Sequence, residues 1–190
     1  MDGNELKTIV FVLALGFVAG CRQQAEPSEL ANHVANALAA KDWPTVAEFV
    51  HPEHGLRFTP SAYIRLDGDV VLSKQEVRGL GTDRTVRLWD QFDGSGDPIE
   101  MTIEEYYGLF IYDRDFARAN IGASNEQLGR GNSLNNILEV FGEREVVFFE
   151  RHVPGTTKYD GMDWGSLRLV LERANGQWYL IGIVHDEWTI

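Results

Sequence analysis

Apolar residues follow a helical period near the start of the chain and a strand period near its end. Leu30, Val34 and Leu38 recur every four residues, which predicts one amphipathic helix that Ser28 is expected to cap. A shorter helix is predicted after Asp42-Trp43-Pro44, because proline is tolerated in the first turn of a helix. The two helices are expected to form a hairpin.

The last third of the chain carries the clearest strand pattern. Strands are predicted at residues 145–150, 166–173 and 177–184. Asn175-Gly176 lies between the last two, and this dipeptide between alternating runs is the strongest short-range signal of a β-hairpin. One face of the first hairpin strand should carry Leu167, Leu169 and Leu171. One face of its partner should carry Trp178, Leu180 and Val184.

Shorter elements are predicted between these two regions. Ser73 to Glu76 and Thr102 to Glu105 both match the capping box that begins a helix. Short strands are predicted from Leu56, at 69–72 and around 86–92, a long loop at 120–132 and a short helix at 133–140. Helices followed by mainly antiparallel strands predict an α+β domain, with the N-terminal helices packed on a curved sheet.

The run around Ile9 to Gly20 is mostly apolar and ends in Val18-Ala19-Gly20-Cys21. It is too short for a comfortable membrane-spanning helix and is typical of a signal peptide. The segment looks like a bacterial lipoprotein signal. That resemblance implies cleavage after residue 20 and a diacylglycerol on the Cys21 thiol. An uncleaved anchor is the alternative, since Asp2 and Glu5 outweigh Lys7 where positive charge is expected.

These assignments divide the chain into a signal peptide at 1–20, a polar tether at 21–27 and a single α+β domain at 28–190. The lipid on Cys21 implies an extracytoplasmic protein held at a bacterial membrane. The following residue is Arg22 and not aspartate, so the resemblance to sorted lipoproteins favours the outer membrane in a host with two membranes.

Charge and cysteine content limit the classes of function that the sequence predicts. Without residues 1–20 the chain keeps 16 basic and 27 acidic residues, a net charge of −11. Such a chain is repelled by phosphate backbones, so nucleic-acid binding is not expected. Cys21 is the single cysteine, so the domain has no thiol for a disulfide, a metal or a nucleophile. No cofactor is predicted.

The helix pair, the break at Lys41-Asp42-Trp43 and the closing segment GQWYLIGIVHDEWTI resemble the nuclear-transport-factor-2-like superfamily, whose fold is a cystatin-like cone. The segments HPEHGLRFTP, DGSGDPIEMT, GMDWGSLRLVLE and GIVHDEWTI also look like those of a group of uncharacterised bacterial lipoproteins. The first resemblance implies a pocket at the open end of the cone, and it leaves open a homodimer formed through the sheet.

The final strand supplies the leading candidates for chemistry. His185 and Asp186 are adjacent where that strand runs out, and a carboxylate can orient an imidazole and raise its basicity. Neighbouring residues on a strand point to opposite faces, so both enter one pocket only if the strand has ended. Arg168 is a candidate anion clamp, although its alternation with the leucine face favours a solvent-exposed side chain. Tyr106, Tyr112 and Trp89 are candidate pocket walls, with the core as the alternative.

Two sequence segments match metal-binding motifs only in part. His51 and His54 flank a proline that argues against a regular helix, and the spacing is not that of a zinc-binding helix. Asp93 to Asp97 with Glu104 matches several positions of a calcium loop but has Pro98 where glycine is required. We therefore predict no metal.

No phosphate-binding glycine loop, nucleophile elbow or dinucleotide motif occurs in the sequence. Three functions stay open. The first is a non-enzymatic lipoprotein that binds a small ligand, a peptide or an envelope component. The second is an envelope enzyme with general acid/base residues in a cone pocket. The third is an assembly factor whose acidic surface binds a basic envelope protein.

Overall fold

The computed structural model describes residues 26–189. The lipoprotein signal, Cys21 and most of the predicted tether lie outside this range. The protein is an α+β domain in which a few helices pack on a mainly antiparallel, curved sheet, so the predicted fold class is confirmed. No helix within residues 26–189 has the length and apolar character needed to cross a membrane.

The five α-helices are short, and several begin at the signals present in the sequence. They are α1 (Pro27–Ala39), α2 (Trp43–Phe49), α3 (Lys74–Gly79), α4 (Ile103–Tyr106) and α5 (Ile137–Phe141). Ser73 and Thr102 form the predicted capping boxes of α3 and α4, and Asp42 caps α2 through the Thr45 N–H. A π-helical turn, Tyr107–Ile111, continues α4.

The start of α1 differs from its prediction. The N-cap residue is Glu26, whose side chain makes no capping hydrogen bond, and Pro27 is the first helical residue. Proline favours this position because its φ is already helical and its missing N–H would have no partner there. The helix therefore begins before Ser28, which is not its cap.

Within residues 26–189, eight strands form two sheets. The strands are β1 (Leu56–Thr59), β2 (Val70–Leu72), β3 (Arg87–Gln91), β4 (Pro98–Met101), β5 (Asn120–Ile121), β6 (Val146–Val153), β7 (Gly165–Ala174) and β8 (Gln177–Glu187). The main sheet has the order β2-β1-β8-β7-β6-β5, and β3 pairs with β4 in a separate ribbon. All pairs are antiparallel except β1 with β8.

The β7–β8 hairpin is the centre of the main sheet, and both of its faces are buried. Leu167, Leu169 and Leu171 lie in the larger core beneath α1, α2 and the segment from α4 to Phe116, as their alternation predicts. Val170 faces a second core on the other side, with Ile137 and Phe141 of α5. A homodimer stays a prediction, but the centre of the sheet is covered by this chain itself.

A β-bulge at Ile181 changes the faces of the final strand. Leu171 pairs with Leu180 and Val170 pairs with Gly182, so Ile181 is an extra residue between them. Leu180 consequently packs in the larger core and Val184 in the smaller one. The prediction that Leu180 and Val184 share a face was wrong, because strict alternation does not hold across a bulge.

Candidate functional site

Two adjoining open spaces in the described part of the chain lie at the end of the main sheet where β8 finishes. A cavity of about 90 Å³ is lined by residues that include Phe110, Asp186 and Glu187. A shallower recess of about 360 Å³ includes Tyr63, Arg65 and Asp90. The two spaces share the lining residues Ser61, Phe92, Asp93 and Ser133. We call the combined space the rim cleft.

Asp93 holds together segments that are distant in sequence at the rim cleft. Its Oδ2 accepts hydrogen bonds from Ser133 Oγ at 2.7 Å and from Thr189 Oγ1 at 3.0 Å. This residue opens the segment whose spacing resembles a calcium loop. Here its carboxylate closes the cleft wall by bonding to two hydroxyl groups.

His185 and Asp186 lie on opposite faces of β8, because the strand continues to Glu187. His185 points to the helical side, where its ring meets the Phe110 ring edge-to-face at a centroid distance of 5.7 Å. Asp186 points to the other side and bonds to Arg168. The two candidates therefore do not form one catalytic pair.

The carboxylate nearest to His185 is Asp113, which sequence reasoning did not identify. Asp113 Oδ1 lies 3.3 Å from His185 Nε2, and Arg114 pairs with both Asp113 and Glu187. Burial lowers the pKa of His185 to about 4, while the neighbouring Glu187 carboxylate opposes this shift. The imidazole is therefore neutral at neutral pH. No signal in the sequence pairs residue 113 with residue 185.

Arg168 is fully buried, which corrects the expectation that it faces solvent. Its Nε donates to Glu150 Oε2 at 2.9 Å, and its Nη2 donates to Asp186 Oδ2 at 2.5 Å. Arg168 does alternate with the leucines, but the face opposite the leucines is covered as well. Two carboxylates of the chain thus hold the guanidinium through Nε and Nη2, while Nη1 has no hydrogen-bond partner.

The loop after β5 covers the buried ion-pair group of Glu150, Arg168 and Asp186. Glu150 accepts hydrogen bonds from the backbone N–H groups of Leu128 and Gly129 and from Ser166 Oγ. A Cβ atom at Gly129 would lie 2.5 Å from Ser166 Oγ, so only glycine allows this close approach. The long loop predicted at 120–132 thus serves to close the second face of the sheet.

The predicted pocket aromatics do not line the rim cleft. Trp89 and Tyr106 are core residues, with their rings stacked at a centroid distance of 4.1 Å. Tyr112 is half-buried, and its hydroxyl donates to Asp115 Oδ1 at 2.8 Å. Tyr63 and Phe92 supply the aromatic surface of the cleft, and both are exposed.

Asp69 and Asp90 are buried carboxylates, and Asp90 belongs to the wall of the rim cleft. Burial raises the pKa of Asp69 to about 6, although the Thr59 hydroxyl donates to Oδ2 at 2.7 Å and opposes the shift. Burial also raises the pKa of Asp90, which pairs with Arg65 at 2.9 Å. Asp90 has a φ of 143°, a strained conformation for a residue with a side chain. The buried Tyr106 hydroxyl has no hydrogen-bond partner.

His51 and His54 lie near the opposite end of β8 from His185. The His51 and His54 rings stack at a centroid distance of 4.1 Å, and His54 Nδ1 lies 2.8 Å from Glu172 Oε2. His51 Nδ1 accepts hydrogen bonds from the backbone N–H groups of Glu53 and His54. A metal lies in the plane of each imidazole that binds it, so two stacked, nearly parallel rings cannot share one ion.

Comparison of the chain with models of known protein families finds no match, and comparison with curated proteins finds none either.

Loss of the Arg168 charge should strongly destabilise the protein. Arg168→Met leaves Glu150 and Asp186 buried without a cation, and we expect it to lower the free energy of unfolding by about 3–5 kcal/mol. Urea unfolding at pH 7 measures this loss. The matched control is Arg173→Met on the same strand, where an exposed pair with Glu145 contributes less than about 1 kcal/mol. Equal losses would contradict the buried network.

Asp69 should give the stability a distinct pH dependence. Its pKa rises on folding from 3.8 to about 6, so its neutral form favours folding. This contribution is complete below pH 3.8 and is lost as the pH rises through 6, with a total of roughly 3 kcal/mol. Asp69→Asn should therefore gain stability relative to the wild type over that range. Urea unfolding between pH 4 and 7 measures the difference. The exposed control Asp97→Asn should show no pH-dependent difference in the free energy of unfolding from the wild type. If the difference for Asp69→Asn stayed constant across this pH range, the raised pKa of Asp69 would be contradicted.

Proposed function

We propose that the protein is a membrane-tethered, non-enzymatic binding domain of the bacterial cell envelope. Its binding site is the rim cleft, and its ligand is a small molecule or peptide segment that carries a positively charged group. The observation that carries the proposal is that the interior of the cone is filled with side chains, while the rim cleft is open and bears acidic and aromatic groups.

The filled interior favours binding at the rim over catalysis inside the cone. Phe58, Trp89 and Tyr106 pack together there, with Phe58 and Trp89 edge-to-face at 5.6 Å. All three side chains are buried. An ordinary substrate therefore has no room beside these residues.

The chemistry of the rim cleft favours a cation. Asp90 and Asp93 lie in its wall, and Arg65 is already paired with Asp90. Tyr63 and Phe92 present ring surface to solvent at the same place. Carboxylates combined with exposed aromatic rings suit an ammonium or guanidinium group, which gains both charge pairing and cation–π contact. The net charge of −11 that remains without residues 1–20 adds a long-range attraction for such a ligand.

The tether keeps the site near the membrane. Cys21 precedes the first helical residue, Pro27, by only six positions. Six residues span at most about 20 Å when fully extended. A domain lipidated at Cys21 would therefore bind its ligand close to the membrane, on the outer membrane if the host has two.

An envelope enzyme is the second candidate, and one observation supports it. His185 and Asp113 form an imidazole–carboxylate pair, and burial lowers the pKa of the imidazole to about 4. Shifted pKa values of this kind are common at catalytic sites. The burial of His185 argues against the enzyme hypothesis, because a substrate would reach this side chain only after a rearrangement of the cleft wall.

The ligand class can be tested with pentalysine as a probe. We expect saturable binding by calorimetric titration that weakens as salt increases, because charge pairing between exposed groups is screened. Tyr63→Ala should weaken binding about fivefold, the equivalent of roughly 1 kcal/mol for a lost cation–π contact.

Tyr159→Ala is the matched control for this titration. Tyr159 is 50% exposed and Tyr63 is 47% exposed, but Tyr159 lies outside the rim cleft. Its replacement should leave pentalysine binding unchanged. Equal effects of the two substitutions, or equally tight binding of pentaglutamate, would exclude the rim cleft as a cation site.

The membrane anchor is tested at Cys21. Cys21→Ser removes the thiol that receives the lipid, so the precursor should remain unprocessed and incorporation of labelled palmitate should cease. Fractionation and gel mobility measure the outcome against the neighbouring control Arg22→Ser, which should be processed normally. Normal processing and labelling of Cys21→Ser would refute the lipoprotein assignment.

A further inference from the structure

Three side chains with metal-binding groups meet beside the rim cleft. Asp113 follows the π-helical turn, and His185 and Glu187 are two residues apart on β8, so they share a face. One potential ligand atom from each lies within 4.8 Å of the other two. The grouping comes from chain segments more than seventy residues apart, which is why no spacing motif marks it.

The polar atoms at the centre of this group lack partners. His185 is fully buried, and its Nε2, the ring nitrogen that faces Asp113, has no hydrogen-bond partner. Asp113 Oδ1 is buried and also has none. Buried polar atoms in folded proteins are almost always satisfied by protein, water or an ion. His185 Nε2 and Asp113 Oδ1 face each other, so a single ion between them would satisfy both atoms.

The separation of these atoms fits a metal ion better than a hydrogen bond. His185 Nε2 and Asp113 Oδ1 are 3.3 Å apart without forming a hydrogen bond. Two ligands on a tetrahedral Zn²⁺, each about 2.0–2.1 Å from the ion, are roughly 3.3 Å from one another. We propose that Asp113, His185 and Glu187 bind a first-row transition-metal dication such as Zn²⁺.

The charge of the group also suits a dication. Asp113 and Glu187 supply two negative charges, and Arg114 compensates one of them through contacts with both carboxylates. Arg114 contacts Asp113 through Oδ2, which leaves Oδ1 free to face the imidazole. The guanidinium lies against Gly165, where any Cβ would overlap it. Arg114 thus holds the carboxylates together and leaves a net charge of −1 for the ion.

An ion can reach the site from the rim cleft. Glu187 lines the 90 Å³ cavity, as does Phe110, which contacts the His185 ring. Three protein ligands leave one tetrahedral position for water or another ligand, which is the arrangement of an open zinc site. The proposal is independent of the cationic ligand and would hold if the cleft bound something else.

The experiment is a calorimetric titration of ZnCl₂ into the full-length protein, purified in detergent and stripped with chelator. Wild type is compared with His185→Gln, Glu187→Gln and the control His54→Gln. His54 belongs to the other histidine–carboxylate cluster, where the rings stack. Co²⁺ substitution gives a second readout, because its visible absorption reports the coordination number and geometry.

We expect one Zn²⁺ per wild-type chain, tetrahedral Co²⁺ absorption, and a thermal midpoint that rises with added zinc, because an ion that binds the folded state stabilises it. His185→Gln should abolish binding, and Glu187→Gln should weaken it at least tenfold. His54→Gln should bind like wild type. Glu187 is partly exposed at the surface, so its variant tests the site even if His185→Gln does not fold.

Three outcomes would overturn the proposal: no saturable binding of zinc to the wild type, wild-type affinity in Glu187→Gln, or loss of binding in His54→Gln. The last result would assign the ion to the His54–Glu172 pair.

Discussion

The register of β8 on β7 is the constraint on which the rest of the structure depends. These two strands form the centre of the sheet and are buried on both faces. The bulge at Ile181 shifts every later residue of β8 to the opposite face. Without it, His185 would point away from Asp113, and Asp186 would point away from Arg168. One extra residue in the strand thus decides which chemical groups meet.

Burial of both faces also explains where the charges and the open space lie. The second face holds Glu150, Arg168 and Asp186, which are compatible with burial because the arginine bonds to both carboxylates. The first face is filled by aromatic and aliphatic side chains. Space for a ligand is therefore left at the rim, where β8 ends and loops meet.

Local signals in the sequence predicted much of the fold. The Ser73 and Thr102 capping boxes, the Asn175-Gly176 hairpin and the leucine face of β7 depend on neighbouring residues, so they can be found without the fold. The face of β8 and the burial of Arg168 depend on a bulge and on a loop that covers the sheet. No local pattern encodes either feature.

In the candidate site, too, the sequence predicts the local features but not those that depend on the tertiary fold. The sequence located chemistry at the end of the last strand, and the rim cleft lies there. Its partners were missed, because Asp113 and Arg114 reach His185 and Glu187 through the tertiary fold alone. Trp89 and Tyr106 were candidates for both the pocket and the core, and their stacking in the interior decides between them. The lipid on Cys21 stays a prediction.

Amide hydrogen exchange with and without a saturating cationic peptide distinguishes binding at the rim cleft from binding inside the cone, since it locates protection along the chain. For the binding site that we propose, we expect slower exchange at residues 61–65 and 90–96, with little change in α4 and the π-helical turn. Protection concentrated at residues 103–111, with none at the rim, would contradict it.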